Sequence, residues 1–138
     1  AIVKDVKAIP AGRGSSFEYT LMVEGKEYKY TKYTDDIDIG YVYDVNMNSS
    51  GVESLIGYRN PNVKGTNVQA VDGRRIKIND KIYFFSDSIS VYIRDPERKI
   101  TAGNLSDIDL SRTYHQVALY FDRNIKNENK VAMIVLWK

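Results

Sequence analysis

The sequence predicts an all-β protein, and three observations on its 138 residues lead to this prediction. Apolar residues recur with period two through most of the chain, which is the spacing of strands that bury one face. The nine Gly and three Pro are spread between these stretches, where turns are needed. Tyrosine, which strands favour, occurs eleven times. Helix is expected only as one short 3₁₀ turn around residues 103–108.

The first hairpin is predicted around Glu24 and Gly25, because apolar and polar residues alternate on both sides of them. A two-residue turn at this point sets Leu21 opposite Tyr28 and Tyr19 opposite Tyr30. The apolar side chains of both strands then share one face of the sheet.

A second hairpin is predicted over residues 41–58, with the polar segment 48–51 as its turn. The residues expected to share one face of its first strand are Tyr41, Tyr43, Val45 and Met47. Further strands are expected at 2–9, 68–71, 75–78, 82–85, 89–93, 114–121 and 131–137.

We expect two similar antiparallel β units in tandem, barrel-like or sandwich-like, at residues 1–64 and 65–138. The segment 59–65, rich in Pro, Asn and Gly, is the predicted connector. An internal repeat is favoured because three stretches recur in the same order. The matching pairs are 5–9 with 67–71, 36–39 with 107–110, and 51–56 with 130–135. The alternative is one sheet shared by both halves, because segment 131–137 is apolar on both faces and suits a central strand.

Composition excludes several kinds of chemistry. With no Cys and one His, the chain cannot form Cys-based zinc sites, iron–sulfur clusters or multi-histidine metal centres, and it has no thiol nucleophile. A formal net charge of +2 is too small to indicate charge-driven binding to nucleic acid or anionic lipid. The longest apolar run, at 131–137, is shorter than the roughly 18 residues that a membrane-spanning helix needs. We therefore expect no cofactor, no nucleic-acid partner and no membrane insertion.

His115 is the candidate for a general base near neutral pH, with Ser106 and Ser111 close in sequence. No Gly-x-Ser-x-Gly nucleophile elbow accompanies it. Because His115 alternates with apolar residues, it is better interpreted as a residue at the end of a strand. The sequence therefore predicts no catalytic residues, and the chain is expected not to be an enzyme.

Asp44, Asn46 and Asn48 carry oxygen ligands at alternate positions, as a calcium loop does. Gly51 and Glu53 depart from the register of an EF-hand and no helix flanks the segment, so it is better interpreted as the solvent face and turn of the second hairpin. Calcium binding there stays open, and no metal site is predicted.

Aromatic and basic residues suggest two further surfaces. Exposed rings on a sheet stack on sugars, so the tyrosines and Trp137 are candidates for carbohydrate binding. The tyrosines that instead fall on predicted core faces are Tyr19, Tyr28, Tyr30, Tyr41 and Tyr43. Packing is the expected use of these rings, and three or more solvent-facing rings in a row would indicate sugar binding. The basic pair Arg74 and Arg75 is interpreted as solvated charge that protects a sheet edge.

Three stretches resemble a known family: Leu-Ser-Asp-Ile-Asp at 105–109, Val-Ala-Leu-Tyr at 117–120 and Lys-Val-Ala-Met-Ile-Val at 130–135, with a fainter copy at 35–56. They resemble the β-modules that accompany S-layer-homology domains in secreted proteins of Gram-positive bacteria. The resemblance implies a non-catalytic extracellular module at the cell surface. Its implied partners are neighbouring domains of a longer protein or cell-wall components. A module that binds cell-wall polysaccharide is the alternative.

Overall fold

The structure, a computed structural model, describes residues 1–11, 14–32, 37–123 and 129–138. Regular structure in these residues consists of strands and one 3₁₀ turn at Leu105–Asp107, so the predicted all-β class is confirmed. The strands are β1 (Ile2–Ala11), β2 (Gly14–Val23), β3 (Lys26–Lys32), β4 (Tyr43–Asn48), β5 (Gly51–Tyr58), β6 (Val63–Gly65), β7 (Ala70–Val71), β8 (Arg75–Ile78), β9 (Lys81–Arg94), β10 (Ile100–Gly103), β11 (Gln116–Phe121) and β12 (Val131–Trp137).

The chain divides into two compact units. The first contains residues 1–60 and 98–100, and the second contains residues 61–97 and 101–138. The predicted boundary between residues 64 and 65 falls within β6. Part of the predicted connector is thus a strand, because β6 pairs with β11 in the sheet of the second unit.

The first unit begins with an antiparallel meander, β1–β2–β3. The register of β2 and β3 sets Tyr19 opposite Tyr30 and Leu21 opposite Tyr28, as predicted. Glu24 and Gly25 have φ angles of 51° and 82°. A type I′ turn needs positive φ at both central residues, and this turn matches the twist of the flanking strands. Local sequence therefore determines this hairpin and its register.

The β4–β5 hairpin also forms where predicted, but the pairing register of its two strands shifts twice. Two bulges place Glu53 and Ile56 as extra residues on β5. Each extra residue interrupts the alternation of faces. These interruptions lie on β5, so Tyr43, Val45 and Met47 keep their alternation on β4. Tyr43 and Val45 are half-buried, whereas Met47, beside the turn, is 42% exposed.

The start of β1 lies beside the segment that leads into β4. Ile2 and Val42 form an isolated antiparallel bridge, and the amide of Val3 donates to the carbonyl of Tyr41 at 3.0 Å. The core of this unit is built on the buried side chains of Val3, Tyr19, Leu21 and Ile37.

The second unit contains a seven-stranded sheet of order β6-β11-β12-β9-β8-β7, in which β10 also pairs with β9. β12 lies in the middle, antiparallel to β11 and parallel to β9, as its apolar residues on both faces require. Successive segments β6 and β7 occupy opposite ends of the strand order. Residues 63–71 therefore contain both edge strands of this order, and a connection this short requires the sheet to curl towards a barrel.

β9 corrects a sequence prediction, because the strands expected at 82–85 and 89–93 are one strand of 14 residues. Phe85 lies opposite Val131 on β12, but Ser90 already lies opposite Met133, so β9 carries extra residues between these pairs. The Ser86 hydroxyl donates to the carbonyl of Ser88 at 2.7 Å. The polar residues of this bulge resemble a turn in sequence, yet they bend the strand without ending it.

Other boundaries differ from the predictions by a few residues. β7 contains only Ala70–Val71, β11 starts at Gln116, and β6 and β10 were not predicted. In chain order, each unit contains a three-stranded antiparallel meander followed by an antiparallel hairpin, β1–β2–β3 with β4–β5 and β7–β8–β9 with β11–β12. The second unit also contains β6 and β10, which have no counterpart in the first. This common order agrees with the predicted repeat, which stays a prediction. One of its stretches, 36–39, begins outside the described residues.

Candidate functional site

The outer side of β8 and β9 exposes apolar and cationic side chains next to one another. Ile82 is 52% exposed and Phe84 is 53% exposed. The register of the two strands sets Arg75 opposite Phe84 and Lys77 opposite Ile82. These four residues are called the β8–β9 outer face below. The residues that alternate with Arg75 and Lys77 in β8, Ile76 and Ile78, are fully buried in the core.

The register of this face is held by the turn between β8 and β9. Asn79 and Asp80 have φ angles of 53° and 63°, as a type I′ hairpin turn requires. The Gln69 side chain donates to Asp80 Oδ1 at 2.8 Å and accepts from the Asp80 amide at 2.7 Å. Asn79 Nδ2 donates to the carbonyl of Lys64 at 2.8 Å. A slip by one residue would turn the outer face inward, and these bonds oppose it.

The loop between β7 and β8 is organised by the Asp72 carboxylate. Asp72 Oδ1 accepts from the amides of Arg74 and Arg75 at 2.8 and 3.1 Å, and Oδ2 accepts from Arg75 Nε at 3.2 Å. The Phe85 amide donates to the carbonyl of Arg74 at 2.8 Å, which joins the loop to β9. The Arg75 guanidinium is thereby held at one end of the outer face.

We expect the pKa of Asp72 to lie below the ordinary value of an aspartate. The amide of Arg74 is the largest cause, followed among the lowering contributions by the amide and guanidinium of Arg75. Since the pKa is lower in the folded protein, Asp72 stabilises the fold above its unfolded pKa, and this contribution is lost as the pH falls through the folded value. An NMR titration of the Asp72 carboxyl measures the shift.

The variant Arg75→Gln separates the causes of the Asp72 pKa shift. It removes the guanidinium but keeps the two backbone amides, so most of the depression should persist. If the Asp72 pKa in this variant returned to the ordinary value, the ion pair and not the backbone would be its cause.

Two shallow depressions adjoin the outer face. One, of about 260 Å³, is lined by Ala70, Val71, Asp72, Arg75, Lys77 and Ile82. The other, of about 310 Å³, is lined by Gly73, Arg74, Phe84, Phe85, Ser86 and Lys130. The lining residues of the two depressions include both exposed apolar side chains and four cationic residues, Arg74, Arg75, Lys77 and Lys130.

The cations of this surface are largely unneutralised. Within the described part of the chain, no carboxylate pairs with Arg74, Lys77 or Lys130, whereas Arg75 pairs with Asp72. An anionic group can therefore approach these three side chains without first displacing an internal ion pair.

The candidate aromatic platform does not form a flat row. The ring of Tyr58 lies 5.7 Å from that of Tyr41 at an angle of 55°, and 5.8 Å from that of Tyr43 at 71°. Partial burial raises the pKa of the Tyr58 hydroxyl, and Tyr41 adds to this effect. Tyr19 and Leu21 belong to the core, so the predicted use of Tyr19 in packing is confirmed.

Trp137 packs against two polar side chains. The Arg94 guanidinium lies 4.2 Å from the centre of its ring, and the His115 ring stacks nearly parallel to it at 6.5 Å. The His115 amide also donates to the carbonyl of Trp137 at 2.7 Å. His115 is exposed and lies next to the start of β11. This is the position at the end of a strand that its alternation with apolar residues predicts.

The Ser and His residues near 111 do not form a catalytic pair. The Ser111 hydroxyl donates to Asp109 Oδ1 at 2.6 Å, and the Ser111 amide donates to the same oxygen at 2.9 Å. These bonds lower the pKa of Asp109. Asp109 therefore caps a turn, and it does not orient His115.

The residues of the possible calcium loop lie on β4, where they make local hydrogen bonds. Asn48 Oδ1 accepts from the Ser50 amide at 2.8 Å, which is an Asx turn, and Asn46 Nδ2 donates to Ser54 Oγ at 3.3 Å. No cluster of three or more His, Cys, Asp or Glu suited to a metal ion occurs in residues 1–11, 14–32, 37–123 and 129–138. In the same part of the chain, no helix has the length and apolarity to cross a membrane.

No protein-family model matches the sequence, and comparisons with curated proteins and with solved structures find no match either. The sequence pattern does not by itself indicate the β8–β9 outer face, because Arg74 and Arg75 also fit the interpretation as edge charges. A signal for it exists in the unbroken apolar run at 82–85. Because successive strand residues point to opposite faces, such a run must place apolar side chains on both sides of the sheet.

Proposed function

We propose that this chain is a non-catalytic extracellular module with a structural or interaction role in a bacterial cell-surface protein. The burial of several of its aromatic rings is the observation that best supports a structural role. Tyr19, Tyr92 and Tyr114 are at most 1% exposed, so their rings stabilise the two units. The cell-surface location is proposed from the resemblance of 105–109, 117–120 and 130–135 to modules beside S-layer-homology domains.

The hydrogen bonds around His115 support the non-catalytic part of the proposal. A serine nucleophile needs a base within hydrogen-bond reach and a group that orients this base. Ser111 donates instead to Asp109, and His115 stacks on Trp137. We expect no turnover in a screen of hydrolase substrates, and turnover that His115→Ala abolishes would overturn this part.

Binding of neutral polysaccharide through the tyrosines and Trp137 is less favoured. Among the described Phe, Tyr and Trp residues, Tyr58 and Phe84 are the exposed ones, and they lie in different units. A site for uncharged sugars built from tyrosine and tryptophan alone needs several neighbouring rings with open faces, because it has no charge interaction to add to the stacking. Tyr58 packs edge-on against its neighbours, and Arg94 and His115 lie against Trp137.

The location can be tested on intact cells of the source organism. An antibody raised against this chain should label unpermeabilised cells, and external protease should remove the signal. An antibody against a cytosolic protein, applied in parallel, controls for cell integrity. Labelling that appears only after permeabilisation would contradict the proposal.

A further inference from the structure

The β8–β9 outer face exposes apolar surface in the pattern of a binding site. Single exposed apolar residues are common in soluble proteins and need no explanation. Here Ile82 and Phe84 stand at alternate positions of one strand, both are about half exposed, and depressions of about 260 and 310 Å³ adjoin them. Two neighbouring exposed apolar side chains with a polar rim and adjoining depressions have the composition of an interaction site.

Cations and apolar groups alternate across this face in two repeating pairs. Arg75 lies opposite Phe84, and Lys77 lies opposite Ile82. Residues opposite one another in antiparallel strands have Cβ atoms about 5 Å apart, and the next pair on the same face follows about 7 Å along the strand. The face therefore offers a cation beside an apolar surface twice in succession.

The cationic side chains on and beside this face favour an anionic ligand. Lys77 has no carboxylate partner in the described residues, and neither have Arg74 and Lys130 in the adjoining depression. Arg75 is held by Asp72 through Nε, which positions its guanidinium. Arginine binds carboxylate and phosphate groups through parallel hydrogen bonds, and lysine binds them as a point charge.

We propose that the β8–β9 outer face binds a linear polysaccharide whose sugar units bear carboxylate or phosphate groups. Such a unit has an apolar C–H face, which packs on Phe84 or Ile82, and an anion at its edge, which pairs with Arg75 or Lys77. Two neighbouring units of the polymer together span the roughly 7 Å between the two pairs, so one chain contacts both pairs. The site lies in the second unit and does not depend on where the protein resides.

Single-stranded nucleic acid fits this face less well. Its binding sites combine a cationic groove with several aromatic rings on which successive bases stack. Phe84 is the one ring on the outer face, and the next apolar residue, Ile82, has no ring for a base to stack on. The apolar C–H face of a sugar gains from burial against any apolar side chain, so Ile82 serves such a ligand even without a ring.

The binding experiment uses the whole chain with defined probes. Polygalacturonate supplies carboxylates, yeast phosphomannan supplies phosphates, and fully methyl-esterified polygalacturonate is the matched neutral polymer. NMR should show saturable shifts of the amides of residues 75–84 with at least one anionic polymer and none with the neutral polymer. Added salt should weaken binding, because exposed charges are screened.

Two variants with matched controls locate the site. Phe84→Ala should weaken binding about tenfold, by analogy with the loss of one stacking ring. Lys77→Gln should weaken it about threefold, as expected for an exposed charge pair. The controls are Ile56→Ala, which truncates another exposed apolar side chain, and Lys7→Gln, which removes one exposed charge from β1. Both controls should bind like the parent.

Any one of the following results would overturn the proposal. The face is not a polysaccharide site if neither anionic polymer binds, if the neutral polymer binds equally well, or if Phe84→Ala and Lys77→Gln bind like the controls. An oligothymidylate or an acidic peptide that binds more tightly than both polymers, with loss on Phe84→Ala, would assign the face to that ligand. Cell labelling tests the location separately, so the two proposals can fail independently.

Discussion

Leu119→Ala should lower the free energy of unfolding of the second unit by about 2–5 kcal/mol. Leu119 is fully buried on β11, where it lies opposite Ile134 of β12 on one side and Val63 of β6 on the other. Truncation removes apolar contacts and leaves a cavity in the core that Leu119 shares with Ile134 and Val63, and this cavity can collapse only partly.

Urea unfolding followed by tryptophan fluorescence measures this loss. Trp137 is the single tryptophan of the chain and lies on β12, so the signal reports on the second unit. Leu110→Ala is the matched control, because Leu110 belongs to the same unit but is 50% exposed. We expect the control to cost less than about 1 kcal/mol. Equal losses in the two variants would contradict the assignment of Leu119 to the core.

Gly51→Ala should destabilise the first unit by about 1–3 kcal/mol through the backbone alone. Gly51 has a φ of 123°, which residues with a side chain rarely adopt. An added Cβ would also lie 2.9 Å from Cδ1 of the Tyr28 ring, so this ring must move. Amide hydrogen exchange in β2 and β3 should become faster, because Tyr28 lies opposite Leu21 in that hairpin.

Gly57→Ala on the same strand is the control for the Gly51 prediction. A Cβ at Gly57 meets no atom within 4 Å, so we expect a change within about 0.5 kcal/mol. Combining Gly51→Ala with Tyr28→Ala separates the two causes, because the second substitution removes the contact but not the backbone strain. Unchanged exchange rates in Gly51→Ala would show that this turn tolerates a side chain.

The predictable parts of the fold depend on interactions over a few residues. Glu24 and Gly25 lie between two alternating stretches, so the turn type and the pairing of Tyr19 with Tyr30 follow from local sequence. β8 and β12 were likewise predicted with their observed bounds. In these elements, periodicity and turn residues lead to the same result.

The unpredicted parts depend on residues far apart in the chain. Ser86 and Ser88 resemble a turn, but pairing with β12 and β8 keeps β9 continuous through its bulge. Val63–Gly65 resembles a connector, but it pairs with β11, more than fifty residues later. Local propensity is weak compared with the backbone hydrogen bonds that a sheet offers.

The candidate site likewise has features that local sequence predicts and features that depend on long-range pairing. The sequence contains the basic pair Arg74 and Arg75 and the apolar run that includes Phe84, and it predicts strands at both places. It does not indicate that Arg75 and Phe84 lie opposite each other, because this pairing depends on the turn at Asn79. It also does not indicate which of two neighbouring phenylalanines is buried.

By itself, then, the sequence determined the all-β class, the β2–β3 hairpin with its register and the absence of cysteine chemistry, because alternation, turn residues and composition are local properties. The tertiary structure alone decided that β12 lies parallel to β9 and that Arg94 and His115 pack against Trp137. It also decided that Phe85 faces the core while Phe84 faces water beside Arg75. These outcomes depend on which strands become neighbours, and burial of the whole core selects that arrangement.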